Sequence, residues 1–178
     1  MPFTTPKTWA VDEMLTANDM NTHIRDNLAA LKDPPSDLIV RDNGALYSTT
    51  SATIVAIDST NLRASITTTG GDVWVHFTGT IHADSATGRQ ASFDLSIDGG
   101  AAHYTGLGYA SGYQSMAVAS TVCQAVNIDF LISGLAAGAH TFDIMWMINA
   151  GTLYLHSDTS DDAASNEQPA ILWAREVS

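Results

Sequence analysis

Between Thr16 and Asp33 apolar residues return every three or four positions. Ala17, Met20, Ile24, Leu28 and Leu31 fall on one stripe, and Asn18, Asp19, Asn21, Thr22, Arg25 and Asp26 fill the rest, a pattern that predicts one short α-helix over 16–33. Thr16 can accept from the amide three residues on. Asp19 at that position makes a start resembling a capping box and sets a carboxylate at the positive end of the helix dipole. Lys32 suits the opposite end. Pro34 and Pro35 then stop the helix, because each lacks an amide hydrogen and disfavours helical geometry in the residue before it.

From Asp37 onward the period changes to two, with turn residues at short intervals. Strands are expected over 38–41, 52–58, 62–69, 72–83, 89–97, 116–126, 127–133, 140–149, 152–156 and 170–177, with a weaker one around 103–109. Gly70-Gly71, Asp98-Gly99-Gly100 and the run from Gly134 to Ala139 supply the backbone freedom for reversals. About ten short antiparallel strands predict a mostly β chain, an antiparallel β-sandwich of the jelly-roll kind. It would occupy 36–178, behind a helical segment at 1–35.

Alternation assigns faces. Val73, Val75, Phe77 and Ile81 should point into the core, with Trp74, His76, Thr78, Thr80 and His82 pointing away. Phe142, Ile144, Trp146 and Ile148 make the inner face of their strand. Met145 and Met147 keep its other face apolar where a solvated sheet would be polar, so a covering loop or a subunit interface is expected there. The helix stripe poses the same question, since a lone helix of about 15 residues is marginal in water. It either lies on its own β domain or packs against copies of itself or another protein, with Pro34-Pro35 as a semi-rigid spacer. Asn27 lies at the edge of that seam, where a polar residue can fix register.

Composition narrows the function classes. The chain has 178 residues, 45% of them hydrophobic and only 15% charged, enough to bury a core. Seven basic residues against nineteen acidic ones give a net charge of -12, with no lysine after Lys32, so nucleic acid and anionic membrane surfaces are repelled. No apolar stretch of the roughly 18 residues needed to insert in a bilayer is present, and the first residues lack the apolar run of a signal peptide. Folding in a reducing cytoplasm is expected. Cys123, the single cysteine, reads as a buried small hydrophobe.

Candidate chemistry is sparse. His76 and His82 share a strand face but stand about 20 Å apart by strand rise, too far for one metal ion. His103, His140 and His156 add no ligand spacing. Asp158, Asp161, Asp162 and Glu167 gather in one acidic loop, which is either a solvated loop or a weak calcium site. The run GLGYASG at 106–112 lacks the order of a nucleophile elbow and the lysine of a phosphate loop. Tyr104, Tyr109 and Tyr113 offer flat amphipathic rings for a ligand-binding surface, as does the loop 157–166. No catalytic residue, metal ligand set or cofactor is expected.

The stretch from Trp9 to Asp33, TWAVDEMLTANDMNTHIRDNLAALKD with the preceding threonine, resembles a segment near the start of tailed-bacteriophage virion proteins of the tail-fibre and head-fibre type. The likeness runs through Trp9, Leu15, Thr16, Ala17, Asn21, Ile24, Arg25, Asp26, Asn27, Leu28 and Leu31. The remainder, above all the glycine-rich turn leading into HTFDIMWMIN and the closing strand ILWAREV, resembles the trimeric jelly rolls of the complement and tumour-necrosis-factor family. These resemblances imply a non-enzymatic virion structural protein, a homotrimeric fibre or attachment component assembled in the host cytoplasm. Trp9, Leu15, Met20, Ile24, Leu28 and Leu31 would be its virion anchor to other particle proteins. Met145 and Met147 would be its oligomer interface. A host-surface glycan or protein is the expected external partner. A capsid decoration or head-fibre role and a carbohydrate-binding module are the alternatives.

Overall fold

A computed structural model describes residues 4–41, 47–83, 89–100, 114–118, 123–156 and 169–177. The helical run comes first: α1 (Ala17–Met20), a π turn (Asn21–Arg25) and α2 (Asp26–Lys32) follow one another without a break. Thr16 caps it as expected, its hydroxyl oxygen accepting from the Asp19 amide at 3.1 Å while the hydroxyl donates to the Asp19 carboxylate at 2.6 Å. Asp33, ahead of Pro34, has left helical geometry with φ -136°. In the π turn the Asp26 amide reaches back to the Asn21 carbonyl. That wider turn offsets the drift that residues spaced by four accumulate in an α-helix, so Met20, Ile24 and Leu28 stay in line.

Eleven strands follow among the described residues: β1 (Ser36–Arg41), β2 (Tyr47–Thr49), β3 (Val55–Ala56), β4 (Arg63–Thr68), β5 (Gly71–Ala83), β6 (Arg89–Ile97), β7 (Gln114–Val118), β8 (Gln124–Leu135), β9 (Gly138–Ile148), β10 (Leu153–His156) and β11 (Ala170–Glu176). Every pairing is antiparallel, and four of them nest: β1 with β11, β4 with β9, β5 with β8, β6 with β7. That nesting is a long hairpin of strands. Further pairings of β11 with β5 and of β9 with β6 roll it into two sheets, the jelly-roll form of the β-sandwich. Sheet A holds β1, β11, β5, β8, β10 and β2, and sheet B holds β3, β4, β9, β6 and β7.

The core lies between the sheets, and the predicted inner positions fill it. Val73, Val75, Phe77 and Ile81 from β5 meet Phe93 and Leu95 from β6 and Phe142, Ile144, Trp146 and Ile148 from β9, all buried. Phe77 and Phe93 touch across the sandwich with ring centroids 6.3 Å apart. Gly79 keeps the inner line of β5 open, because a β-carbon there would stand 2.7 Å from Leu155 Cδ1 of the neighbouring β10. One long strand can therefore pair with β11 along one half and β10 along the other.

Several expectations need correction. The strand expected over 52–58 shrinks to Val55–Ala56. Ser51 is the reason: its Oγ donates to the Thr53 carbonyl at 2.6 Å and accepts from the Thr53 amide, giving the backbone a partner outside any ladder. The strand expected over 116–126 is two strands in different sheets, β7 in B and the start of β8 in A. The glycine-rich run before His140 is likewise no hairpin turn. It carries the chain from β8 in sheet A to β9 in sheet B, with Gly134 and Gly138 at positive φ of 67° and 147°. Cys123 is exposed rather than buried, because it precedes β8 instead of sitting inside a core strand.

Candidate interaction surface

Two exposed apolar surfaces stand out, one on the helix and one on the outside of sheet A. On the helix, the stripe is uncovered: Met20 and Ile24 are exposed, and Leu28 and Leu31 are 62% and 67% exposed. Leu15 extends it, and Trp9 lies half-open beside it. The helix is braced instead by the chain ahead of it. Asn27, expected at the edge of an intermolecular seam, is buried and clamps the backbone of Thr4, accepting from its amide at 2.8 Å and donating to its carbonyl at 2.7 Å. Lys7 pairs with Glu13 and Asp19 and sits 4.7 Å from the centre of the Trp9 ring, whose edge meets His23. These contacts hold the pKa of Lys7 above its ordinary value, the bond to Glu13 contributing most.

The second surface comes from the alternation of four strands. With Val73, Val75 and Phe77 inward, Trp74, His76 and Thr78 face out. Strand register sets them in three rows. Ser36, Arg175, Trp74 and Leu131 form one; Leu38, Trp173, His76 and Asp129 the next; Val40, Ile171, Thr78 and Asn127 the third. Trp74 and Trp173 meet edge to face with centroids 5.6 Å apart. The Trp74 indole N–H donates to Asp129 Oδ1 at 2.9 Å, and His76 Nδ1 lies 2.8 Å from the same oxygen. Around this pair of rings, Leu38 is 58% exposed, Leu131 57%, and Val40 and Trp74 are exposed as well. At the far end of β5, His82 stacks flat on Tyr154, 4.6 Å between centroids.

An outer sheet face in water is normally polar, with apolar chains scattered singly. This one is a continuous patch. At its centre the Trp74 indole N–H, His76 and Asp129 Oδ1 are engaged with one another.

The other predicted sites distribute unevenly. Met145 and Met147 do lie on the outer face of β9, but they are half-buried, beside Asp94 and Ser92 of β6. That face holds polar residues out of solvent: Ser92, Asp94, Ser96 and Asp143 are all buried. Asp143 is matched by Arg63 across the β4–β9 ladder, Nε and Nη2 donating at 2.8 and 2.7 Å to its two oxygens. Tyr104, Tyr109, Tyr113 and the acidic loop 157–167 lie outside the described residues, as does the weak strand around 103–109. His76 and His82 are in separate environments, and no group of three or more His, Cys, Asp or Glu side chains suited to a metal ion occurs among the described residues. No helix among them is long and apolar enough to cross a membrane.

Residues missed in sequence are Leu38, Val40, Leu131, Trp173 and Arg175. Leu131 carried a usable signal: in NIDFLIS it breaks an otherwise polar alternate face of Asn127 and Asp129. The closing strand carried none, since Ile171, Trp173 and Arg175 compete evenly with Leu172, Ala174 and Glu176 for the inside. The fold turns the second set inward and buries the Glu176 carboxylate, which accepts from the amide and hydroxyl of Thr69.

No protein-family model matches the sequence, and no curated protein matches it significantly. Among solved structures, Eiger TNF from S. frugiperda aligns with 82% of this chain and 94% of its own at 9% identity and a TM-score of 0.40. The infectious bursal disease virus Gt strain structure aligns with 82% of this chain at 11% identity and a TM-score of 0.40, and the VP2 subviral particle of that virus at 13% and 0.36. This chain spans little more than a third of those viral chains, 38% in both.

Proposed function

We propose that the chain is a non-enzymatic structural protein of a bacteriophage virion, a homotrimeric fibre or attachment component held to other particle proteins by its N-terminal helix. One observation carries the reading: the helix stripe of Met20, Ile24, Leu28 and Leu31 is exposed, although the segment ahead of it is laced onto the helix by Asn27, Lys7 and Trp9. A helix braced on its polar side and bare on its apolar side is built to be covered by something else. Burying the exposed parts of Leu28 and Leu31 would recover on the order of 1–2 kcal/mol each. The phage-type pattern through Trp9, Leu15 and the helix supports a particle protein as the cover.

In this reading the trimer contact is the outer face of sheet A and not Met145 and Met147. The larger exposed apolar residues are there, and the two methionines are already half-buried among polar neighbours. A host-surface molecule is the proposed external partner. The anchor is tested with a chain carrying Ile24→Asp and Leu28→Asp, purified and offered to assembling particles. The variant should keep its β circular dichroism and its mass yet be missing from the particles; incorporation at the ordinary copy number would falsify the anchor.

A further inference from the structure

The three rows across β1, β11, β5 and β8 hold one carboxylate, Asp129, and one guanidinium, Arg175, in a chain that carries nineteen acidic and seven basic residues. Both are incompletely engaged. Asp129 uses Oδ1 for Trp74 and His76, and Oδ2 takes part in no hydrogen bond among the described residues. Arg175 makes no ion pair or side-chain hydrogen bond among the described residues. Lys7, Arg25, Arg41 and Arg63 each have a polar partner of their own. In a chain with so large an excess of acid, a guanidinium left unmatched within an apolar patch lacks its counter-charge.

Arg175 and Asp129 do not pair within one chain, where Asp129 meets Trp74 and His76. Two strand spacings separate them, about 10 Å, and Trp74 on the intervening β5 stands between. Their placement suits a ring. When identical copies close into a trimer head to tail, each copy offers one flank of its interface to one neighbour and the opposite flank to the other, so complementary groups must lie on opposite flanks. Arg175 is on the β11 side of β5 and Asp129 on the β8 side. An acidic surface elsewhere on the chain would match Arg175 but repel Asp129, whereas the same face of a second copy offers a partner to both. Leu38, Val40 and Leu131, large and aliphatic, call for a protein surface rather than a saccharide.

We infer that Arg175 of each copy pairs with Asp129 of the next, so that this single charge match sets the register of the trimer across sheet A. The inference rests on the trimer reading above and adds to it which residues decide the contact. Asp129 is preset for that contact, since the two groups on Oδ1 fix the carboxylate and leave Oδ2 directed to a partner.

Light scattering and sedimentation of the full chain test it with four proteins: the wild type, Arg175→Glu, Asp129→Arg and the double exchange. The wild type should run at about 57 kDa, three times the 18.9 kDa of one chain. Each single variant should raise the trimer dissociation constant about tenfold or more, and the exchange should restore most of it. A monomeric wild type overturns the trimer reading and the pair together. A trimeric wild type whose dissociation constant is unmoved by Arg175→Glu overturns the pair alone. Weakened single variants with no recovery in the exchange also overturn it, since Arg175 then meets another group. If a charge reversal fails to fold by near-ultraviolet circular dichroism, Arg175→Met decides, because it keeps the stem and removes the charge: unchanged affinity overturns the pair, and a tenfold loss supports it.

Discussion

The two outer faces of the sandwich invert the usual arrangement in opposite ways. Sheet A leaves Leu38, Val40, Trp74 and Leu131 exposed, whereas sheet B takes Ser92, Asp94, Ser96 and Asp143 out of solvent. The polar face of sheet B is stabilised from within, by the two-pronged Arg63–Asp143 pair and by the Leu95 amide donating to Asp94. On the apolar face of sheet A, Leu38, Val40, Trp74 and Leu131 stay exposed among the described residues. Its internal contacts, Trp74 on Trp173 and Asp129 under both Trp74 and His76, order the patch without covering it. Burial of polar groups on sheet B contributes to the fold, and in the proposed reading the exposed apolar groups of sheet A are what a second copy covers.

The sharpest way to break that contrast is Leu38→Asp combined with Leu131→Asp. Both side chains are more than half exposed, so the monomer should change by only about 0.5 kcal/mol per site. The assembly should be lost altogether, with the mass by light scattering falling to one chain. A trimer that survives would move the interface off sheet A.

On the opposite face the same logic reverses. Arg63→Met leaves the buried Asp143 carboxylate without its charged donors and should cost roughly 2–3 kcal/mol in a urea unfolding curve of the monomer. The stoichiometry of the assembled protein should not change. A variant as stable as the wild type would mean that Asp143 draws its stabilisation from elsewhere.

The smallest effect lies at the edge of sheet B, where the turn after β6 meets the start of β9. An acceptor faces each ring nitrogen of His140, Asp98 Oδ2 at 2.8 Å and the Ala136 carbonyl at 2.9 Å, an arrangement that the protonated ring satisfies in full. The Asp98 bond above all raises the His140 pKa from 6.5, against the effect of burial. Burial would raise the Asp98 pKa, but the Thr141 amide and His140 outweigh it and hold it below 3.8. The contribution of His140 is thus complete below about 6.5 and fades as pH rises through its higher folded value. That of Asp98 is complete above about 4 and fades as pH falls. Stability should peak between those limits, and His140→Gln should remove the decline on the alkaline side of the monomer's urea midpoint. An unaltered profile would assign that decline to other groups.

Much of this molecule was legible as pattern. Thr16, Asp19 and Pro34 mark the helix ends, and a period of two placed Val73, Val75, Phe77 and Ile81 of β5 and Phe142, Ile144, Trp146 and Ile148 of β9 in the core, where they are buried, because local hydrogen bonding and alternation act over a few residues; Thr80, expected to point away, is buried as well. The candidate site was legible only in part. Trp74 and His76 were placed outward, and the helix stripe was found. Met145 and Met147 are half-buried on the outer face of β9, whereas Leu38 and Leu131 on sheet A are exposed.

What the chain could not declare locally depends on partners distant in sequence. That Leu172 rather than Trp173 faces inward goes with the pairing of β11 to β1 and β5, and Glu176 on the same face accepts from Thr69, more than a hundred residues away. The division of 116–126 between two sheets, and the clamp of Asn27 on Thr4, follow from which strand or segment lies alongside. Periodicity reports that a residue has two neighbours of like kind; it does not report what stands opposite. The three rows on sheet A exist only because β1, β11, β5 and β8 are brought side by side in one register, and that is a property of the fold.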